Sequence, residues 1–184
     1  AAYLDINHPE IKSFIQMRNP VGGDTNKKCF NLNNAINITD DFMQAVAKGE
    51  DYELIDPKHG ATGKFLNARE VWEEILDMRF QTGEPYLNFI DTVNRTKPIW
   101  IKNHLHKMSQ SNLCNEIHLM TSDKRTAVCC LSSLNLDKYD EWKDTSFVED
   151  MIRFLDNVLE YFIRLADKDA LKRAIYSAKK ERAL

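Results

Sequence analysis

The chain has 184 residues, 43% of them apolar and 29% charged, with a formal net charge of −3. That length supports a real hydrophobic core, and the composition is that of a soluble globular protein. The charge gives no electrostatic case for nucleic acid or an anionic membrane, and no window approaches a transmembrane run or a signal peptide.

In chain order, Ala2–Ile6 reads as a strand, and Pro9 opens a helix to about Arg18. Asn19-Pro20-Val21-Gly22-Gly23-Asp24 is a loop rich in breakers. Leu32–Ile38 reads as a strand, and Thr39-Asp40-Asp41 caps a helix that ends at Gly49. Asp51–Ile55 is a short strand before a loop over residues 56–63. Asn67 with Glu70 starts a helix like a capping box, with Val71, Trp72, Ile75, Leu76 and Phe80 as its apolar face and Gly83 after its end. Tyr86–Ile90 is a strand, and residues 96–110 form a loop with room for a short helical turn, in which His104 and His106 read as solvated. Two strands follow, at 112–119 and 126–134. Ser146 and Glu149 make a second capping box, followed by Phe147, Met151, Phe154, Leu155, Val158, Phe162 and Leu165 at helical spacing. A last helix covers about 169–181. Strands alternating with helices predict an α/β architecture.

The chemistry gathers in Ser111-Asn112-Leu113-Cys114-Asn115-Glu116-Ile117 and in Val128-Cys129-Cys130-Leu131-Ser132. In a strand, Asn112, Cys114 and Glu116 share one face, about 6.6 Å apart at each step of two. An amide, a thiol and a carboxylate then stand in a row. A helix would pair Asn112 with Glu116 and turn Cys114 away. A free cysteine is commonly a small buried hydrophobe. The amide and carboxylate beside Cys114 argue against that, because both are costly to bury for packing alone.

Four cysteines in a chain this long are no disulfide framework. Without an export signal they read as reduced thiols of a cytoplasmic protein, and the glycosylation patterns at Asn37 and Asn94 carry no weight. Cys129 and Cys130 point to opposite sides of a strand and do not form an easy disulfide with each other, so one of them packs. Cys29 reads as structural. Cys114, His118, Cys129 and Cys130 do not have a zinc spacing, and there is no Walker loop or dinucleotide fingerprint.

Asn112-Leu113-Cys114-Asn115-Glu116-Ile117, followed by Cys129-Cys130-Leu131-Ser132-Ser133-Leu134-Asn135-Leu136, resembles the large catalytic subunit of ribonucleotide reductase. Tyr3–Ile11, Gly83–Arg95 and Tyr176–Leu184 resemble further segments of that family, so the likeness covers nearly the whole chain. It implies a central segment, residues 1–184, of a ten-stranded α/β barrel that is incomplete in this chain. The implied reaction is reduction of ribonucleotides, as diphosphates, to 2′-deoxyribonucleotides by thiyl-radical chemistry.

In the roles so implied, Cys114 carries the radical and takes the hydrogen from C3′ of the ribose. Glu116 accepts the 3′-hydroxyl proton, Asn112 hydrogen-bonds the substrate, and Ser111 belongs with them to the substrate site. Cys129 is the reducing thiol. Its disulfide partner belongs to a segment upstream of Ala1, and Cys130 falls where the family varies. No cofactor is expected on this chain itself. The radical comes from a metal-containing small subunit, or in the adenosylcobalamin-dependent class from that cofactor. The complete subunit also implies dNTP and ATP effectors and a thioredoxin- or glutaredoxin-type reductant. Ala1 runs straight into an apolar strand with no initiator Met, and Lys179–Leu184 has no stop signal. The expectation is a piece of a longer chain, inactive alone. A non-catalytic structural fragment is the competing reading.

Overall fold

The computed structural model describes residues 1–98 and 107–184; His104 and His106 lie outside the described residues. The chain divides into two compact units, residues 1–118 and 119–184.

The first unit is built on a parallel sheet of β1 (Ala2–Asp5), β2 (Asn34–Ile38) and β5 (Tyr86–Phe89), in the order β1-β2-β5. Parallel neighbours need crossovers. The first runs through α1 (Ile11–Ile15), which continues as a 3₁₀ turn over Gln16–Arg18. The second runs through α2 (Asp40–Lys48), the hairpin of β3 (Asp51–Asp56) with β4 (Gly60–Asn67), and α3 (Ala68–Thr82). All five residues of β2 are buried, as a central parallel strand requires. Ile36 and Ile38 of β2 pack in one core with Ile11 and Ile15 of α1, Phe42 of α2 and Ile75 of α3. Among the described residues the sheet is open, with β1 and β5 at its edges and no closed barrel.

The helix caps form where expected. Thr39 Oγ1 accepts the N–H of Phe42 at 3.2 Å, and Gly49 ends α2 in the left-handed region at φ 72°. Asn67 Oδ1 accepts the N–H groups of Arg69 and Glu70, and Gly83 closes α3 at φ 81°.

Four expectations need correction. Residues 60–63, expected in the loop over 56–63, belong to the strand β4 (Gly60–Asn67). Asp56 Oδ1 accepts the N–H of Lys58 and of His59 to make the turn, and the ladder absorbs an irregularity between Glu53 and Ile55. In α3 the buried stripe is Ala68, Val71, Ile75 and Met78, whereas Leu76 and Phe80 face out, Phe80 at 94% exposure. They sit four apart on a stripe of their own. Residues 90–96 form α4 rather than strand end and loop, tied down by the Arg95–Asp40 ion pair at 2.6 Å and by Asp91 accepting the N–H of Asp40. At the fourth, Ser146 makes no cap bond, because its hydroxyl donates to Asp150 at 2.7 Å.

The second unit holds α5 (Tyr139–Trp142), α6 (Phe147–Leu165) and α7 (Lys172–Glu181). Leu155, Leu159 and Ile163 are the buried side chains of α6. Phe154 and Leu165, which share the helical spacing of the apolar residues, are 61% and 65% exposed. Leu159 and Ile163 pack with Ile175 and Ala178 of α7, and Val128, Cys130 and Phe162 border that cluster. Arg125 pairs with Glu181 at 2.8 Å, both side chains being nearly buried.

Candidate functional site

Asp5, Asn37 and Asn88 are directly opposite one another in the register of β1, β2 and β5. They lie near the carboxyl ends of the strands, where open parallel sheets carry their sites. Asn37 Nδ2 donates to Asp5 Oδ1 at 2.8 Å, and Asn88 Nδ2 donates to Asn37 Oδ1 at 2.8 Å. The ladder reaches residues 107–118. Asn37 Nδ2 also donates to the carbonyl of Ser109, and a His118 ring nitrogen lies 2.8 Å from Asn88 Oδ1.

Between Ser109 and His118 the chain turns. Asn112 Oδ1 accepts the N–H groups of Glu116 and Ile117, each at 3.1 Å, while its Nδ2 donates to Glu116 Oε1 at 2.6 Å. The N–H of Asn112 and the hydroxyl of Ser111 both donate to the carbonyl of Ile117, at 3.1 and 2.7 Å. Residues 112–119 are therefore not a strand. A side chain that captures the backbone four and five residues on offers an alternative to any sheet ladder. The turn still brings Asn112 to Glu116, by direct hydrogen bond rather than by alternation, with Ser111 beside them and Cys114 near the apex.

Two residues without an assigned role in the sequence hold this turn. Asn115 has φ 66°, a left-handed conformation that asparagine tolerates better than most residues. Its Nδ2 donates to the carbonyl of Leu87, which fixes the apex to β5. The Tyr3 hydroxyl, on β1, donates to the Asn112 carbonyl at 2.7 Å and lies 3.2 Å from Asn115 Oδ1. Burial raises the Tyr3 pKa, a hydrogen bond with Ser111 offsets part of the rise, and the Glu116 carboxylate adds to it. The readable signal was an asparagine at the centre of a short polar run, a turn residue rather than a strand residue.

Cys114 and Glu116 are exposed, whereas Ser111 and Asn112 are half-buried. The cost of burial, which set Cys114 apart in the sequence, therefore does not apply to it here. Cys114 sits at the surface of this unit, reachable by a ligand.

In the second unit, residues 126–134 are not a strand either. Cys129 forms an isolated bridge to Ala183, and the N–H of Cys130 donates to the Ala183 carbonyl at 3.0 Å. A ladder needs a partner strand, and one residue of contact does not supply it. Cys130 borders the apolar cluster of α6 and α7, as a packing thiol does. Cys29 is half-buried, its N–H bonded to the Met17 carbonyl at 2.9 Å. Among the described residues no three His, Cys, Asp or Glu side chains are grouped to hold a metal, and no helix is long and apolar enough to cross a membrane.

Burial holds the His118 imidazole below its ordinary pKa of 6.5. The unfolded chain then binds a proton that the folded chain refuses. The contribution to stability is complete above 6.5 and is lost as the pH falls from there through the depressed folded value. The melting temperature of the full-length protein is expected to fall on acidification across this window, and less so for His118→Gln. Parallel curves for the two proteins would contradict this.

The family model that matches the chain is ribonucleotide reductase, barrel domain, over residues 1–184. A protein of Frog virus 3 (isolate Goorha) described as a ribonucleoside-diphosphate reductase large subunit is 52% identical over 189 residues, covering 100% of this chain and 33% of the relative. A vitamin B12-dependent ribonucleoside-diphosphate reductase of Thermoplasma acidophilum is 31% identical over 85% of this chain and 20% of its own length. Among solved structures, the Actinobacillus ureae class Id ribonucleotide reductase alpha subunit superposes with a TM-score of 0.79 at 33% identity, covering 99% of this chain and 31% of that one. The chain spans about a third of the length of the viral relative and of the solved subunit.

Proposed function

Because the chain belongs to the ribonucleotide reductase barrel-domain family, we propose that it is a central segment of the catalytic barrel of a large subunit that reduces ribonucleoside diphosphates to 2′-deoxyribonucleotides. The observation that carries the reading is the closed turn in which Asn112 grips Glu116 beside Cys114. In this role the Cys114 sulfur takes the hydrogen from C3′ and later returns it, while Glu116 accepts the 3′-hydroxyl proton. Asn112 holds the Glu116 carboxylate in place, and an amide nitrogen has a second N–H for a substrate hydroxyl. As water leaves C2′, Cys129 and a partner cysteine elsewhere in the large subunit supply two hydrogens and become a disulfide. A thioredoxin- or glutaredoxin-type dithiol reopens it. The exposure of Cys114 fits a site whose remaining walls come from other segments of the large subunit. Proximity and orientation in such a closed site account for much of the rate.

A metal-containing small subunit supplies the radical in this reading, in keeping with the class Id likeness. Adenosylcobalamin is the second reading, favoured by the likeness to the B12-dependent enzyme. The complete subunit takes dNTP and ATP effectors, and the assembly is cytoplasmic. A structural fragment without chemistry is the reading this displaces.

The test is Glu116→Gln in the full-length large subunit with its radical partner. A lost general base costs about 10²- to 10⁴-fold in kcat. The amide is close in size to the carboxylate and can still meet Asn112, so folding is expected to hold. Wild-type turnover by this variant would remove Glu116 from the chemistry.

A further inference from the structure

The hydrogen bonds that tie residues 107–118 to the sheet run in a forced direction. The carboxylate of Asp5 only accepts. Asn37 Nδ2 therefore donates to it, and its other hydrogen goes to the Ser109 carbonyl, both at 2.8 Å. Only Asn37 Oδ1 is left to face Asn88, whose Nδ2 donates to it at 2.8 Å. Asn88 Oδ1 in turn faces the ring of His118, so the hydrogen must be on Nε2. Asn37 is 5% exposed and Asn88 2%, so breaking a link leaves a buried polar group unpaired. The relay grips both legs of the turn: Ser109 two residues before Ser111, and His118 two residues after Glu116.

We propose that the relay Asp5–Asn37–Asn88–His118 is the positioning device of the Cys114 turn, with His118 fixed as its Nε2–H tautomer to latch the outgoing leg. The inference rests on the reading of Cys114 as the reacting residue. His118 is a positioning residue. It acts through the backbone that leads to Glu116 and Asn112, and burial keeps it neutral with a single N–H to give.

The experiment compares His118→Gln with His118→Phe in the full-length large subunit assembled with its radical partner. A glutamine amide can donate to Asn88 from near the place of Nε2, and phenylalanine cannot donate at all. His118→Phe is expected to lower kcat at least about tenfold with KM for the ribonucleotide within about twofold. The rate at which iodoacetamide alkylates Cys114, followed by mass spectrometry, should shift at least about threefold. His118→Gln should return both quantities to within about twofold of wild type. If His118→Phe does not fold, His118→Asn, too short to reach Asn88, takes its place. Wild-type kcat and alkylation in the donor-less variant would overturn the proposal, and so would a glutamine variant as impaired as the phenylalanine one. Cys114→Ser separates the two claims. If that protein still turns over, the reading of Cys114 fails, while the alkylation rates of the His118 variants still judge the relay.

Discussion

Cys114→Ser in the full-length large subunit will bring deoxyribonucleotide formation to background, a fall of at least about 10³-fold or ~4 kcal/mol of barrier, while ribonucleotide binding changes by less than about twofold. The replacement fits the same space. Cys114 is exposed and belongs to no apolar cluster, so no cavity opens and folding is not at stake. The turn depends on Asn112, Asn115 and Tyr3, not on the sulfur. What changes is the bond at the tip. A serine O–H is much stronger than a cysteine S–H, so the hydroxyl cannot pass the radical to and from a C–H bond. Binding assays and the melting temperature check that the site persists. Retained product formation would remove Cys114 from the chemistry.

Cys129→Ser is the second large effect, and Cys130→Ser is its control. In the proposed role the Cys129 thiol supplies one of two hydrogens, one leaving in the water and the other placed on C2′, and without it they cannot both be supplied. Multiple turnover should therefore fall to background, and the first turnover should stall with an abnormally decaying substrate radical visible by electron paramagnetic resonance. Cys130 borders the cluster of Leu159, Ile163, Ile175 and Ala178. A hydroxyl there costs about 1 kcal/mol of stability, seen as a lower denaturation midpoint, with turnover within about twofold of wild type. If Cys130 proves essential and Cys129 dispensable, the two thiols have been assigned the wrong way round.

The elements with a strong local signature were legible in the sequence. Thr39 and Gly49 bracket α2, Asn67 and Gly83 bracket α3, and β1, β2 and β5 lie within two residues of their expected starts. Caps and breakers act within one turn of chain, so sequence displays them directly. β4 was hidden because Gly60 and Gly63 read as loop, whereas in a bent hairpin they serve the strand. α4 was hidden because Asp91, Thr92 and Asn94 are poor helix formers, and its support comes from Asp40 and Met108, far off in sequence. At the candidate site the cluster of residues was legible and its geometry was not. Period-two alternation put Asn112, Cys114 and Glu116 together on a strand. The real cause is the Asn112 side chain folding onto its own backbone, with Asn115 left-handed at the apex. The roles of Tyr3 and His118 stayed invisible because their partners, Asn112 and Asn88, are 109 and 30 residues away in the chain.

β2 is the middle strand of the parallel sheet and buried along its whole length. Its amide hydrogens are shielded on both sides and exchange with solvent only when the first unit opens as a whole. Asn37 is part of that strand, so one anchor of the Cys114 turn shares the slowest clock in the unit. Edge residues can fray many times between such openings. The Asn37 part of the floor under Cys114 is lost only in the rare event that dismantles the sheet itself.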